Sequence, residues 1–245
     1  MELPSVSVEH VPLVTTQQMI EVDRLMVEAY RIELIQMMEN AGRGLARLAA
    51  HRFFDGNPEG RHVTVLAGRG GNGGGAIVAA RRLHTWGASV RVFVSAAAGD
   101  FSGVPGHQLD IVSRIGMPVF ETELPDERCD LIIDGLIGYS LRGTPRGRAA
   151  DLIGWANSVQ SPTLSLDVPS GIDGETGEAR DPFVRATATL TLALPKSGFV
   201  EPAASDRIGE LYLADIGVPA ELYEQLGLKL QDPLFKSSDL IRILP

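Results

Sequence analysis

The chain has 245 residues, 44% of them hydrophobic, with 31 acidic against 22 basic side chains and a formal net charge of −9. That length supports one large domain with a sizeable core, and the acidic balance argues against a nucleic-acid face and confines any phosphate site to a local cradle. No run reaches the ~18 apolar residues of a membrane span, no signal-peptide pattern is expected at the start, and the lone Cys129 has no internal disulfide partner, which fits a reducing, cytoplasmic setting.

Residues 1–14 carry no clear pattern and read as an extended arm. Thr15 and Gln18 then form a capping box, in which each side chain serves an orphan N–H at a helix start. Met19, Val22, Met26 and Tyr30 follow at helical spacing. A second helix runs through Leu34, Met37, Met38, Ala41, Leu45, Leu48 and Phe53, and its methionines read as core. Gly42 and Gly44 would each weaken an isolated helix by ~1 kcal/mol relative to Ala, so they mark close packing or a kink.

From His62 the rhythm changes to strand, loop, helix. Apolar or β-branched runs recur at 62–67, 89–95, 117–120, 131–134, 163–167, 186–193 and 210–214, with helical patterns at 75–86, 105–115 and 146–159. Alternating elements of this kind build a mainly parallel sheet with helices on both faces. No internal repeat or long linker interrupts residues 1–245, so a single domain is expected, with 220–245 as an extension packed on the outside.

Three loops at predicted strand ends carry polar and glycine residues. The first is "AGRGGNGGGA", where Gly68-x-Gly70-x-x-Gly73 follows a strand and opens a helix, as a dinucleotide fingerprint requires. The acid that should close the next strand and hold a ribose is absent from "ASVRVFVSAA", which argues against an ordinary NAD-dependent oxidoreductase. The second loop is "IDGLIGYSLRG", beginning at Asp134; the third is "LDVPSGID", with Asp167 and Ser170. Ligands of open parallel sheets bind beyond the strands' carboxyl ends, so these loops can converge. Asn72, Asp134, Asp167 and Ser170 offer oxygens suited to a hard monovalent or alkaline-earth cation. The five scattered histidines lack zinc spacing, and neither a G-x-S-x-G elbow nor a P-loop lysine is present.

In this order the loops resemble the YjeF N-terminal family, the NAD(P)H-hydrate epimerases. The segments "MMENAG" (37–42), Lys196-Ser197-Gly198 and "DIGVP" (215–219) carry the resemblance across nearly the whole chain from Thr16. It implies a Rossmann-like three-layer αβα sandwich with N-terminal helices, often assembled as a homodimer. It implies an isomerase of nicotinamide nucleotide repair, which interconverts the R and S forms of hydrated NADH or NADPH. It also implies a potassium ion on Asn72, Asp134 and Ser170. Substrate would be held by Gly71, Asn72, Gly73, Gly74 and Gly75, by Gly138, Tyr139, Ser140, Leu141, Arg142, Gly143 and Thr144, and by Asp167 as the catalytic carboxylate. The kinase-like domain fused in many relatives is not expected in a chain of this length.

The hydrated carbon carries both a hydroxyl and the ring nitrogen. Loss of hydroxide, assisted by the nitrogen lone pair, gives a planar iminium to which water returns on either face, with carboxylates supplying acid–base help and charge support. The chain departs from the family pattern at Gly71, Gly75 and Ala76, which stand where Asn, Asp and Gly are usual. A carboxylate at Gly75 would be favoured by the helix dipole by ~0.3–1 kcal/mol, so Gly75→Asp is expected to be tolerated unless φ is positive. The alternative is a catalytically silent module of the same type that binds a nucleotide-like ligand or a protein partner.

Overall fold

The computed structural model describes residues 3–126, 128–201, 204–230 and 233–245. Strands β1 (Ser5–Ser7), β2 (His62–Ala67), β3 (Ser89–Val94), β4 (Val119–Phe120), β5 (Leu131–Gly135), β6 (Thr163–Leu166), β7 (Ala188–Leu192), β8 (Glu210–Ala214) and β9 (Leu240–Leu244) form one sheet. Its order is β1-β9-β8-β7-β6-β5-β2-β3-β4, parallel throughout except where β9 runs against β8. The helices are α1 (Thr16–Glu28), α2 (Leu34–Phe53), α3 (Gly71–Thr85), α4 (Gly103–Arg114), α5 (Gly147–Ser158) and the short α6 (Ser205–Ile208) and α7 (Ala220–Gln225).

Period-two alternation in the central strands serves both faces. In β2, Val63, Val65 and Ala67 pack with Leu45, Leu48, Ile77 and Leu83 of α2 and α3. Leu66 points the other way, to Leu152 and Ile153 of α5. These side chains are almost wholly removed from water, and burying each Leu, Ile or Val is worth roughly 1.5–3 kcal/mol. The capping box of α1 forms as its sequence requires: Gln18 N–H donates to Thr15 Oγ1 (3.2 Å) and Thr15 N–H to Gln18 Oε1 (2.9 Å). Gly42 serves close packing, since a Cβ there would strike the Val78 side chain of α3. No helix among the described residues is long and apolar enough to cross a membrane.

Three expectations are corrected. Helix α3 begins at Gly71 rather than residue 75, because tertiary burial of Gly73, Gly74 and Gly75 sustains a first turn that propensity alone would not. The arm at 1–14 contributes β1, and the extension at 220–245 contributes α7 and β9 (Met1, Glu2, Gln231 and Asp232 lie outside the described residues). The two terminal strands pair with each other, Ser5 opposite Arg242, so neither segment merely lies on the outside. Strand order reverses beside β2, whose neighbours are β3 and β5, and this switch point opens a crevice above the carboxyl ends of the strands.

Candidate active site

A cavity of about 410 Å³ fills that crevice. Its floor comes from the ends of β5, β6 and β7 through Leu136, Asp167 and Leu192. The first turn of α3 supplies Gly70, Gly71 and Asn72, and the loop after β5 supplies Gly138, Tyr139 and Ser140. Met19, Met37 and Met38 close it from α1 and α2. The methionine stripe is therefore buried, as core side chains are, and is also the flexible apolar wall of the site.

Asp134 ends β5 with no exposed surface. Its Oδ1 accepts from the Ser170 hydroxyl (2.6 Å) and Leu136 N–H (3.2 Å), and its Oδ2 from the Ser165 hydroxyl (2.8 Å) and Ser170 N–H (2.9 Å). No basic side chain pairs with it among the described residues. Burial pushes its carboxyl above the usual carboxylate range, and the four donors oppose that shift. Ile137 N–H donates to the Ser170 hydroxyl (2.8 Å), which ties the second loop to the third. Asn72 donates its amide N–H to the Leu166 carbonyl (2.9 Å), leaving its own oxygen beside Gly138.

Asp167 follows β6 at φ +63°, a left-handed conformation that costs a non-glycine residue roughly 1–3 kcal/mol. Its N–H donates to the Leu190 carbonyl (2.7 Å), and its Oδ1 accepts from Leu192 N–H (3.2 Å) and from the Lys196 ammonium in a short ion pair. Lys196 is 1% exposed and also donates to the Leu192 carbonyl (3.0 Å). Asp167 thus lines the cavity with a buried cation beside it. No hydrogen bond to Oδ2 is made among the described residues.

A second acidic group faces the same space. The Tyr139 hydroxyl donates to Asp23 Oδ2 at 2.5 Å, joining the loop after β5 to α1. Burial raises the Asp23 carboxyl, with Tyr139 opposing and the Asp167 charge adding to the rise. Burial and the Asp23 charge push the Tyr139 phenol well above its ordinary value.

The glycine loop divides in two. Gly70 and Gly71 have open space where a Cβ would stand, and they border the cavity. Gly73 permits close approach to the Gly68 backbone, and Gly74 lies against Met38. A Cβ on Gly75 would come within 2.7 Å of Leu166 Cδ2. These three glycines are buried and face their neighbours rather than the cavity, and Leu166 fills the place toward which a side chain at 75 would point. Of the second loop, Gly138, Tyr139 and Ser140 line the cavity, whereas Leu141, Arg142, Gly143 and Thr144 do not.

Sequence reasoning missed Asp23 and gave Lys196 no role. A signal existed for each. Met19, Val22, Asp23 and Met26 occupy i, i+3, i+4 and i+7, so Asp23 is a charge within an apolar stripe. Lys196 sits at the end of the apolar segment "TLTLALPK".

The sandwich, its switch-point cavity and the glycine-rich start of α3 place the chain among Rossmann-like α/β proteins. The family described as YjeF-related protein N-terminus matches residues 34–198, and the chain belongs to it. It is 41% identical to the NAD(P)H-hydrate epimerase of Dehalogenimonas lykanthroporepellens, covering 94% of this chain and 92% of that one. The NAD(P)H-hydrate epimerase of Truepera radiovictrix is 39% identical over 88% of this chain and 93% of its own. The bifunctional NAD(P)H-hydrate repair enzyme Nnr of Moorella thermoacetica is 34% identical, and the match spans 41% of that longer protein. The crystal structure of yeast ynu0 shares the fold, with a TM-score of 0.80 at 23% identity over 95% of this chain and 100% of that one.

Proposed function

We propose that this chain is an NAD(P)H-hydrate epimerase, the activity for which its near-full-length bacterial relatives are named. The carrying observation is Asp167, a carboxylate at the cavity floor with one oxygen committed to Lys196 and the other without a hydrogen bond among the described residues. Asp167 donates a proton to the hydroxyl leaving the hydrated ring carbon, or accepts one from returning water, while its charge supports the iminium between them. The apolar Met19, Met37 and Met38 pack against the ring and keep bulk water off the cation. The open backbone at Gly70 and Gly71, at the positive end of α3 and next to Arg69, suits the diphosphate of the nucleotide. Asn72 of the first loop, with Gly138, Tyr139 and Ser140 of the second, completes the proposed substrate-binding set.

The donor chemistry also fits a potassium ion. Among the described residues Asp134 is a buried carboxylate without an ion-pair partner and the Asn72 oxygen accepts no hydrogen bond, and the Ile137 carbonyl lies 3.3 Å from the Ser170 hydroxyl. Asn72, Asp134 and Ser170 would hold the ion, which supplies positive charge that balances Asp134 and fixes the two loops together.

The test follows equilibration of purified S-form and R-form hydrated NADPH by chromatography. The wild type should exceed the spontaneous rate, and Asp167→Asn should lose roughly 10²–10⁴-fold of that acceleration. Saturable ligand binding without acceleration would instead identify a silent module.

A further inference from the structure

The cavity holds two separate acidic pairs, yet a reaction on a single face of the ring needs only one. Asp167 is backed by Lys196 and rises from the sheet. Asp23 is joined to Tyr139 and hangs from α1. Both pairs line the same cavity, and no hydrogen bond links one to the other among the described residues. The two are electrostatically coupled, since the Asp167 charge acts on both Asp23 and Tyr139. Asp23 forms no ion pair among the described residues, so its only short partner is a phenol whose oxygen can accept a proton as its own is passed on. An enzyme that must serve both faces of a planar cation has a use for both pairs.

We infer that Tyr139 and Asp23 form the acid–base relay for one face of the substrate ring, and Asp167 the acid–base group for the other. This rests on the epimerase reading. In one direction Asp167, once it has taken a proton from solvent, gives that proton to the departing hydroxyl. The C–O bond breaks with its electron pair going to oxygen, water leaves, and the nitrogen lone pair forms the C=N bond of the iminium. A solvent water then adds at the other face, and the C=N pair returns to nitrogen. The added water's proton passes to Tyr139 Oη as the phenol passes its own to Asp23 Oδ2. The net result is one proton moved from Asp167 to Asp23, reset by the reverse reaction or by exchange with solvent. Tyr139 touches the reacting water; Asp23 acts through it.

The two-face assignment makes a prediction that a single-base site does not. Each epimer can exchange its hydroxyl oxygen with solvent by leaving and returning on one face, without epimerising. The separated R and S forms are incubated in H₂¹⁸O with wild type, Tyr139→Phe, Asp23→Asn and Asp167→Asn, and label and configuration are read by chromatography with mass spectrometry. Tyr139→Phe and Asp23→Asn should lower epimerisation by about 10²-fold or more. They should keep ¹⁸O exchange of one epimer near the wild-type rate while abolishing that of the other. Asp167→Asn should show the opposite epimer preference. If Tyr139→Phe lowers both exchanges equally, or leaves epimerisation intact, the relay is wrong. Asp23→Asn preserves size and the contact with Tyr139, so it carries the test if Tyr139→Phe folds poorly. A wild type with no epimerisation above background rejects the epimerase reading itself, whereas an active wild type with unsplit variants rejects only the relay.

Discussion

Two adjacent strands end in aspartates with different partners. Asp134 at the end of β5 is sealed from solvent and satisfied by four neutral donors, two hydroxyls and two backbone N–H groups. Asp167, just past β6, is held left-handed, lines the cavity and is paired through Oδ1 with a buried ammonium. Both are strand-end acids within a few ångströms of the same loops, since Asp134 is in register with Ser165. A carboxylate surrounded by neutral donors fixes loops and offers its charge to a cation. A carboxylate with one cationic partner and one free oxygen can exchange a proton with a ligand. The partners, rather than the residue type or its position on the strand, separate the two environments.

The largest effect should come from removing the cation behind Asp167. Lys196→Met strands a buried carboxylate and should cost about 3–5 kcal/mol, read as a lower urea midpoint with an unchanged slope. Asp167→Asn combined with Lys196→Met should recover part of that loss, because the remaining groups are neutral. Next comes Asp134→Ala, which orphans the Ser165 and Ser170 hydroxyls and two N–H groups. Each unsatisfied buried donor costs about 1–3 kcal/mol, partly offset by water entering the space. Asp134→Asn keeps the shape and should cost less. If Asp134→Ala and Asp134→Asn prove equally mild, the four-donor account of this strand end is wrong.

Gly75→Asp tests the third side of the site. The helix dipole favours a carboxylate there and φ is not positive, yet the buried Leu166 occupies the direction of its Cβ. The expectation of tolerance drawn from the dipole therefore gives way to overpacking, which costs roughly 1–3 kcal/mol. Adding Leu166→Ala should restore much of the loss in thermal unfolding if the clash is the cause.

The smallest effects are in pH dependence, and their signs oppose one another. Burial raises Asp134 above its ordinary 3.8, so the folded state holds that proton more tightly than the unfolded chain. Its contribution is fully present below 3.8 and declines as pH rises through the folded value. Glu210 is the reverse: the Arg52 guanidinium holds its carboxyl down to about 2, so its contribution is present above 4.5 and lost as pH falls toward 2. Glu210→Gln should flatten the acid limb of a stability–pH curve, and Asp134→Asn should flatten the decline above 3.8.

Much of the fold was legible because its strands and helices obey their own periods. The run at 210–214 coincides with β8, and the capping box at Thr15 sets the start of α1. The first turn of α3 escaped because glycines carry no pattern, and its stability comes from neighbours remote in sequence. In the site, Asp134, Asp167 and Ser170 stood out as polar residues at strand ends. Asp23 and Lys196 did not, because their meaning depends on partners 116 and 29 residues away. That Gly73, Gly74 and Gly75 pack against protein while Gly70 and Gly71 border open space could not be read from five similar letters.

The pairing of β1 with β9 bears on how the chain reaches this structure. Ser5 lies opposite Arg242 and Ser7 opposite Leu244, so β1 waits for a strand made much later before its backbone is paired. Contacts so distant in sequence require a large loop to close before they reward it, and they slow folding. During synthesis the β8 edge stays open until β9 arrives, and an unpaired edge is a template for strands of other chains. A chain truncated before residue 240 should expose that edge. Its β1 segment should then exchange amide hydrogens freely while β2, β5 and β6 are already protected.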